Sequence, residues 1–228
     1  MRYHTLLFDA DETLFDFSRT ETAALEDTFL GHAMEFLPMH FERYKEINHE
    51  LWSELEAGLI SSQVLRTERF ARLFDAFKLD LDPVAFSGEY LINLGRGAYL
   101  LEGAEELCAS LSSQGYRMAI ITNGIKEVQH ERIRRSPLCN TFEQVIVSEE
   151  AGYQKPDPGI FDVAFTKLGL QDKAGVLMIG DSLSSDIQGG NRYGIDTCWF
   201  NPRAAVNETG IKPTYEIRAL HELYSILD

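Results

Sequence analysis

Asp9 and Asp11 lie two residues apart in the string Asp9-Ala10-Asp11-Glu12-Thr13, directly after the apolar run Thr5 to Phe8. A carboxylate can attack phosphorus as a nucleophile, and a second one beside it can give and then take a proton. Attack on a phosphate ester brings anion to anion. A neighbouring carboxylate adds about 4 kcal/mol of repulsion at ~4 Å for an effective dielectric near 20. Such chemistry therefore requires positive charge and hydrogen-bond donors at the same place, and three later clusters supply them. Thr122-Asn123-Gly124 offers a hydroxyl and backbone N–H groups for phosphate oxygens. Lys155-Pro156-Asp157-Pro158 offers an ammonium. Gly180-Asp181-Ser182, with Asp186 four residues beyond Ser182, offers further carboxylates for a metal ion.

Each cluster alone has an ordinary explanation: a solvated acidic loop, a turn, an exposed lysine, an aspartate N-cap. All four would then have to fall by chance at strand ends or helix starts along one edge of one sheet. The combined reading is a phosphoryl transfer with Asp9 as nucleophile and Asp11 as acid and then base. A magnesium ion seated on Asp9, Asp181 and a backbone carbonyl near Asp11 offsets the carboxylates, and Lys155 adds a second positive charge.

The elements that must position these groups show in the hydrophobic pattern. Five apolar, β-leaning runs stand out: Thr5 to Phe8, Met118 to Ile121, Gln144 to Val147, Val176 to Ile179 and Thr197 to Phe200. The last four are separated by lengths that fit one crossover helix each, which predicts a doubly wound parallel α/β sheet covered on both faces. Open sheets of that class bind ligands at the carboxyl ends of their strands.

The gap from residue 16 to residue 98 is far longer than a crossover needs, and its pattern predicts an inserted helical bundle acting as a lid. Ser18 and Glu21 read as a capping box for a helix ending near Gly31. Tyr44, Ile47, Leu51 and Leu55 mark one face of a second helix, and Val64, Phe70, Leu73, Phe74 and Phe77 a third. Asp82-Pro83 reads as an N-cap followed by proline at the first helical position. The domains expected are residues 1–15 with 99–228 as core and 16–98 as cap. Gly189-Gly190 is expected to permit close packing of a helix on the sheet.

Composition narrows the partners. The formal charge is 21 − 36 = −15, which repels nucleic acid polymers and acidic membranes. A small anionic substrate remains compatible with it if the site holds its own cation. Cys108, Cys139 and Cys198 are odd in number and without metal-ligand spacing, so reduced thiols in a cytoplasmic protein are expected. Met1 to Phe8 is too short for a signal peptide.

With these four clusters in this order, the chain resembles the haloacid dehalogenase superfamily of phosphatases over nearly its whole length. The resemblance implies Asp9 as nucleophile, Asp11 as acid and base, Thr122, Asn123 and Lys155 as phosphate ligands, and a magnesium-binding set of Asp9, Asp11, Asp181 and Asp186. It also implies a sheet of order 3-2-1-4-5 and a helical cap inserted after the first motif. Asp9-Ala10-Asp11-Glu12-Thr13-Leu14-Phe15, Ser148-Glu149-Glu150-Ala151-Gly152 and Thr197-Cys198-Trp199-Phe200-Asn201 are similar to the bacterial 5'-nucleotidases that act on pyrimidine nucleoside monophosphates, noncanonical ones included. That likeness implies a nucleoside monophosphate as substrate. Phe15, Phe17, Asn48 and Trp52 are candidates to flank its base, although aromatic residues at helical spacing more often belong to a core.

Phosphoglycolate and sugar phosphates are alternative substrates. A dehalogenase uses the same nucleophile, but a halide departs without a proton and leaves Asp11 without a task. A signalling receiver domain also takes phosphate on aspartate, but its lysine comes last, whereas Lys155 here precedes Asp181.

Overall fold

The computed structural model describes residues 2–227, apart from the side chain of residue 56. The chain forms two compact units: Met1–Phe17 with Ala98–Asp228, and Ser18–Gly97.

The first unit is built on six parallel strands: β1 (Thr5–Phe8), β2 (Arg117–Thr122), β3 (Gln144–Val147), β4 (Val176–Gly180), β5 (Asp196–Phe200) and β6 (Tyr215–Ile217), ordered β3-β2-β1-β4-β5-β6. Alternation within the strands divides the apolar residues between two faces. Leu6 and Phe8 of β1, Met118 and Ile120 of β2, Leu177 and Ile179 of β4 share one core with Leu107, Cys108 and Leu111. Leu7, Ala119, Ile121 and Met178 share the other with Ile160, Phe161, Ala164 and Phe165. Those partners lie on α5 (Ala104–Ser113) and α8 (Pro158–Leu168), one helix for each face. Each leucine, isoleucine, methionine or phenylalanine side chain buried completely among them contributes about 1.5–3 kcal/mol of transfer free energy. That is why these short strands read as near-continuous apolar runs.

Further helices complete the layers: α6 (Lys126–Arg135), α7 (Ser148–Ala151), α9 (Gln188–Tyr193) and α10 (Tyr224–Leu227), with a π-helical turn over Leu183–Ile187 running into α9. Gly189 and Gly190 sit in α9 where a Cβ would lie 2.9 Å from Phe161 and 2.5 Å from Thr197 respectively. Gly190 thus permits the expected close packing of α9 on the sheet, against Thr197 of β5 and Met178 of β4, whereas Gly189 permits close packing on α8 instead. The sixth strand, only three residues long, extends the expected order by one position and covers the edge of β5. Its brevity left too little periodicity to detect.

The second unit consists of α1 (Phe17–Gly31), which begins one residue before it, α2 (Pro38–Glu56), α3 (Ser62–Phe77) and α4 (Pro83–Arg96). Asp82 caps α4 as expected, its Oδ1 accepting from the Val84 N–H at 2.9 Å, with Pro83 following. Ser18 and Glu21, expected as a capping box opening this helix, lie inside its first turns, because α1 starts at Phe17. Glu21 is buried instead and accepts from Asn48 Nδ2 at 3.3 Å. Val64, expected on the apolar face of α3, is exposed. Ser61 is the N-cap and accepts from the Val64 N–H at 3.3 Å, and the helical period from there buries Leu65, Phe70, Leu73 and Phe74 while Val64 falls outside that face. An aromatic centre holds the bundle, with Phe86 4.9 Å from Phe70 and 5.0 Å from both Phe29 and Phe74, ring centre to ring centre.

Candidate active site

Asp9 leaves β1 at its carboxyl end, between β2 and β4, where the strand order reverses. Its N–H donates to Ile179 O at 2.8 Å, so the backbone still follows the ladder with β4. Thr122 ends β2, and Asp181 follows β4. The four sequence clusters thus meet at one edge of the sheet.

Lys155 is the hub. Its side chain is buried, and Nζ donates to Asp9 Oδ1 at 2.6 Å, Asp186 Oδ1 at 2.7 Å and Ile121 O at 2.7 Å. An ammonium has three N–H groups, and all three are used. Asn123 fixes the loop that carries it: its Nδ2 donates to Lys155 O and its Oδ1 accepts from Lys155 N–H, both at 2.8 Å. The Asn123 side chain is therefore spent on holding Lys155.

Asp186 is delivered by the π-helical turn, with Oδ2 accepting from Ser182 N–H at 3.0 Å. Glycine at position 180 makes this possible, because a Cβ there would lie 2.2 Å from the Asp186 carboxylate. Asp181 is tied through its backbone, whose carbonyl accepts from Trp199 Nε1 at 2.8 Å.

Asp9, Asp181 and Asp186 each place one carboxylate oxygen within 4.8 Å of the others. Burial pushes the Asp9 carboxyl above the usual carboxylate range; Lys155 pulls it back while Asp186 and Asp11 add to the rise. Burial likewise pushes Asp181 up to about 8, with Asp9 and Asp186 adding. Lys155 goes up despite its burial, because two carboxylates touch it. Three carboxylates against one ammonium leave two negative charges without a counterion when all are ionised. An all-oxygen set with that surplus fits a small hard divalent cation.

Asp11 stands apart from this cluster. Its carboxylate accepts from Gln129 Nε2 at 2.7 Å and from the Arg132 guanidinium. Gln129 and Arg132 were not singled out in the sequence. The available signal was two long polar residues on the face of α6 otherwise taken by Val128 and Ile133. Phe15 and Phe17 face Arg132, with its guanidinium 4.7 Å and 5.8 Å from the ring centres. Asn48 contacts Glu21 and Arg69. The hydroxyls of Thr13 and Thr122 are buried and have no hydrogen-bond partner. Such orphans are costly unless a ligand satisfies them.

No helix among the described residues is long and apolar enough to cross a membrane. Cys108 and Cys198 are buried and Cys139 is exposed, all as free thiols.

A family of haloacid dehalogenase-like hydrolases matches residues 6–200. The chain is 38% identical to a pyrimidine 5'-nucleotidase of Streptococcus pneumoniae over 228 residues, covering 100% of this chain and 96% of that one. It is 34% identical to a pyrimidine 5'-nucleotidase of Escherichia coli over 227 residues, covering 100% and 99%. A solved structure of a HAD-hydrolase from Bacillus subtilis, bound to magnesium, is similar at 38% identity with a TM-score of 0.93, and each chain is covered completely.

Proposed function

Because the chain belongs to the haloacid dehalogenase-like hydrolases, we propose that it is a magnesium-dependent phosphatase acting on pyrimidine nucleoside 5'-monophosphates through an aspartyl-phosphate intermediate, an acyl phosphate formed on Asp9. The observation that carries the reaction is the buried hub of Lys155 with Asp9 and Asp186, beside Asp181, at the end of β1. The substrate class is supported by the two nucleotidases of similar sequence and full coverage.

Asp9 attacks phosphorus as the bond from phosphorus to the ester oxygen breaks, and Asp11 gives that oxygen its proton. Asp11, now a carboxylate, takes a proton from water as the water oxygen attacks the phosphate on Asp9; phosphate leaves and Asp9 is restored. Lys155 holds the Asp9 carboxylate in place and neutralises part of the charge around it. Thr122 presents its orphan hydroxyl, and Asn123 a backbone amide, to phosphate oxygens. Asp9, Asp181 and Asp186 would hold the magnesium ion, joined by a backbone carbonyl near Asp11. When bound, magnesium supplies positive charge against phosphate oxygens and carboxylates. The presence of Asp11 speaks for an ester oxygen that needs a proton and against halide release.

Residues 1–15 with 99–228 form the catalytic domain in this reading and 16–98 the cap domain. Free thiols and an acidic surface suit a cytoplasmic enzyme of small phosphorylated metabolites. The test is phosphate release across nucleoside monophosphates, sugar phosphates and phosphoglycolate, with magnesium and with chelator. Pyrimidine monophosphates are expected to rank first and to require magnesium. Equal or better rates on sugar phosphates would refute the nucleotide assignment alone; no magnesium-dependent release from any ester would refute the phosphatase.

A further inference from the structure

Arg132 is a buried cation outside the Lys155 hub. Its side chain is completely inaccessible, and its Nε and Nη1 have no hydrogen-bond partner. Nη2 donates to Asp11 Oδ1 and to Gln129 Oε1, the latter at 2.8 Å. Gln129 Nε2 donates to the other Asp11 oxygen at 2.7 Å. Both oxygens of one carboxylate are thus gripped by two side chains one helical turn apart, and those side chains are bonded to each other.

Stability does not explain the arrangement. A buried guanidinium with two unsatisfied nitrogens is costly, and apolar residues of similar volume often serve a core as well or better. The surroundings are nonetheless shaped to hold it. The guanidinium lies over the rings of Phe15 and Phe17. Gly124 leaves the space that Gln129 fills, since a Cβ there would lie 2.6 Å from Gln129 Nε2. Asp11 itself stays accessible, with 26% of its side chain exposed. Each gripped oxygen keeps a second lone pair, so the carboxylate can hold or pass a proton without leaving the grip.

We propose that Arg132 and Gln129 are positioning residues that fix the Asp11 carboxylate for proton transfer to the leaving oxygen, an inference that rests on the phosphatase reading above. As phosphorus separates from the ester oxygen, the proton on Asp11 moves to that oxygen. The carboxylate then forms in place against Arg132 Nη2–H and Gln129 Nε2–H, ready to take a proton from water.

The test compares leaving groups in the full-length enzyme with magnesium. An alkyl ester, the best substrate of the screen above, needs a proton on its departing oxygen; p-nitrophenyl phosphate releases a stable phenolate and needs little help. Arg132→Met is expected to lower kcat/KM by about 10²-fold for the alkyl ester, the scale of general acid catalysis, and by much less for the aryl ester. Arg132→Lys should recover part of the difference, and Arg132→Met should add no further alkyl-selective loss in an Asp11→Asn background. Equal losses on both esters, no loss, or an unchanged loss in the Asp11→Asn background would overturn the assignment. Should Arg132→Met not fold, Gln129→Met must show the same selectivity, and a uniform or absent effect there overturns it equally. A wild-type enzyme active on the aryl ester with unselective variants defeats this inference alone; one inactive on every ester defeats the phosphatase reading and this inference with it.

Discussion

Lys155 in the α/β unit and Arg69 in the helical unit are both buried cations, yet their surroundings differ. Lys155 meets two carboxylates and a backbone carbonyl, and each of its N–H groups is used. Arg69 reaches the Tyr44 hydroxyl at 3.4 Å and Asn48 Oδ1 at 3.3 Å from one nitrogen, while Nε and Nη2 have no partner. The reason lies in the scaffold. Parallel strands end at one edge and project several backbone and side-chain groups toward one point, so acceptors can converge on an ammonium. Packed helices present side chains along stripes, with their backbone groups already bonded internally. Dense charge is therefore built at the sheet edge, and the helical interior is held by aromatic packing with a looser polar network.

The largest expected effect breaks the hub at its reactive member. Asp9→Asn should lower turnover by about 10⁴-fold or more, on the scale seen when an enzyme loses its nucleophile. In chelator, the same substitution should raise the melting temperature, because it removes one carboxylate from a crowded set; a fall would mean that Lys155 needs Asp9 more than Asp186 and Asp181 repel it. Trapped phosphate on Asp9 in an Asp11→Asn variant would show the two steps separately.

Next comes the contrast between the cations. Lys155→Met leaves Asp9 and Asp186 buried without their partner and should cost about 3–5 kcal/mol in urea unfolding. Arg69→Met removes a cation hydrogen-bonded only to neutral groups, leaves Asn48 Oδ1 without that donor, and should cost less, about 1–3 kcal/mol. Equal costs would end the comparison.

A smaller effect sharpens it through pH. Asp9 and Asp181 are raised in the fold, so the native protein without metal binds more protons than the unfolded chain between the ordinary carboxylate range near 4 and about 8. Their contribution to stability is therefore present at low pH and is lost as pH rises through that window. Melting in chelator should fall between pH 5 and 8 relative to the Asp9→Asn protein, and magnesium should flatten the slope. An equal slope in both proteins would detach it from this cluster.

Much of the α/β unit was legible because burial on both sides of a parallel sheet forces near-continuous apolar runs. The strands β1 and β3 coincide with the runs expected, and β2, β4 and β5 exceed theirs by one or two residues. β6 escaped because three residues carry no measurable period. In the helical unit, helix number and the Asp82 cap were readable. The Ser18-Glu21 pair misled because side-chain types at the right spacing do not specify where a helix starts, and burial against Asn48 decided the fate of Glu21.

For the site, residue types at strand ends nominated Asp9, Asp11, Thr122, Asn123 and Asp181, a lysine before a helix start nominated Lys155, and the family resemblance added Asp186 to the metal set. Tertiary structure alone decided who touches whom. Asn123 holds the Lys155 backbone, Asp186 fills the space left by Gly180, and Asp11 is gripped from α6 by Gln129 and Arg132, over a hundred residues away along the chain. Local sequence determines which backbone state and which face a residue takes. Contacts between distant segments depend on how whole elements pack, and no local pattern carries that information.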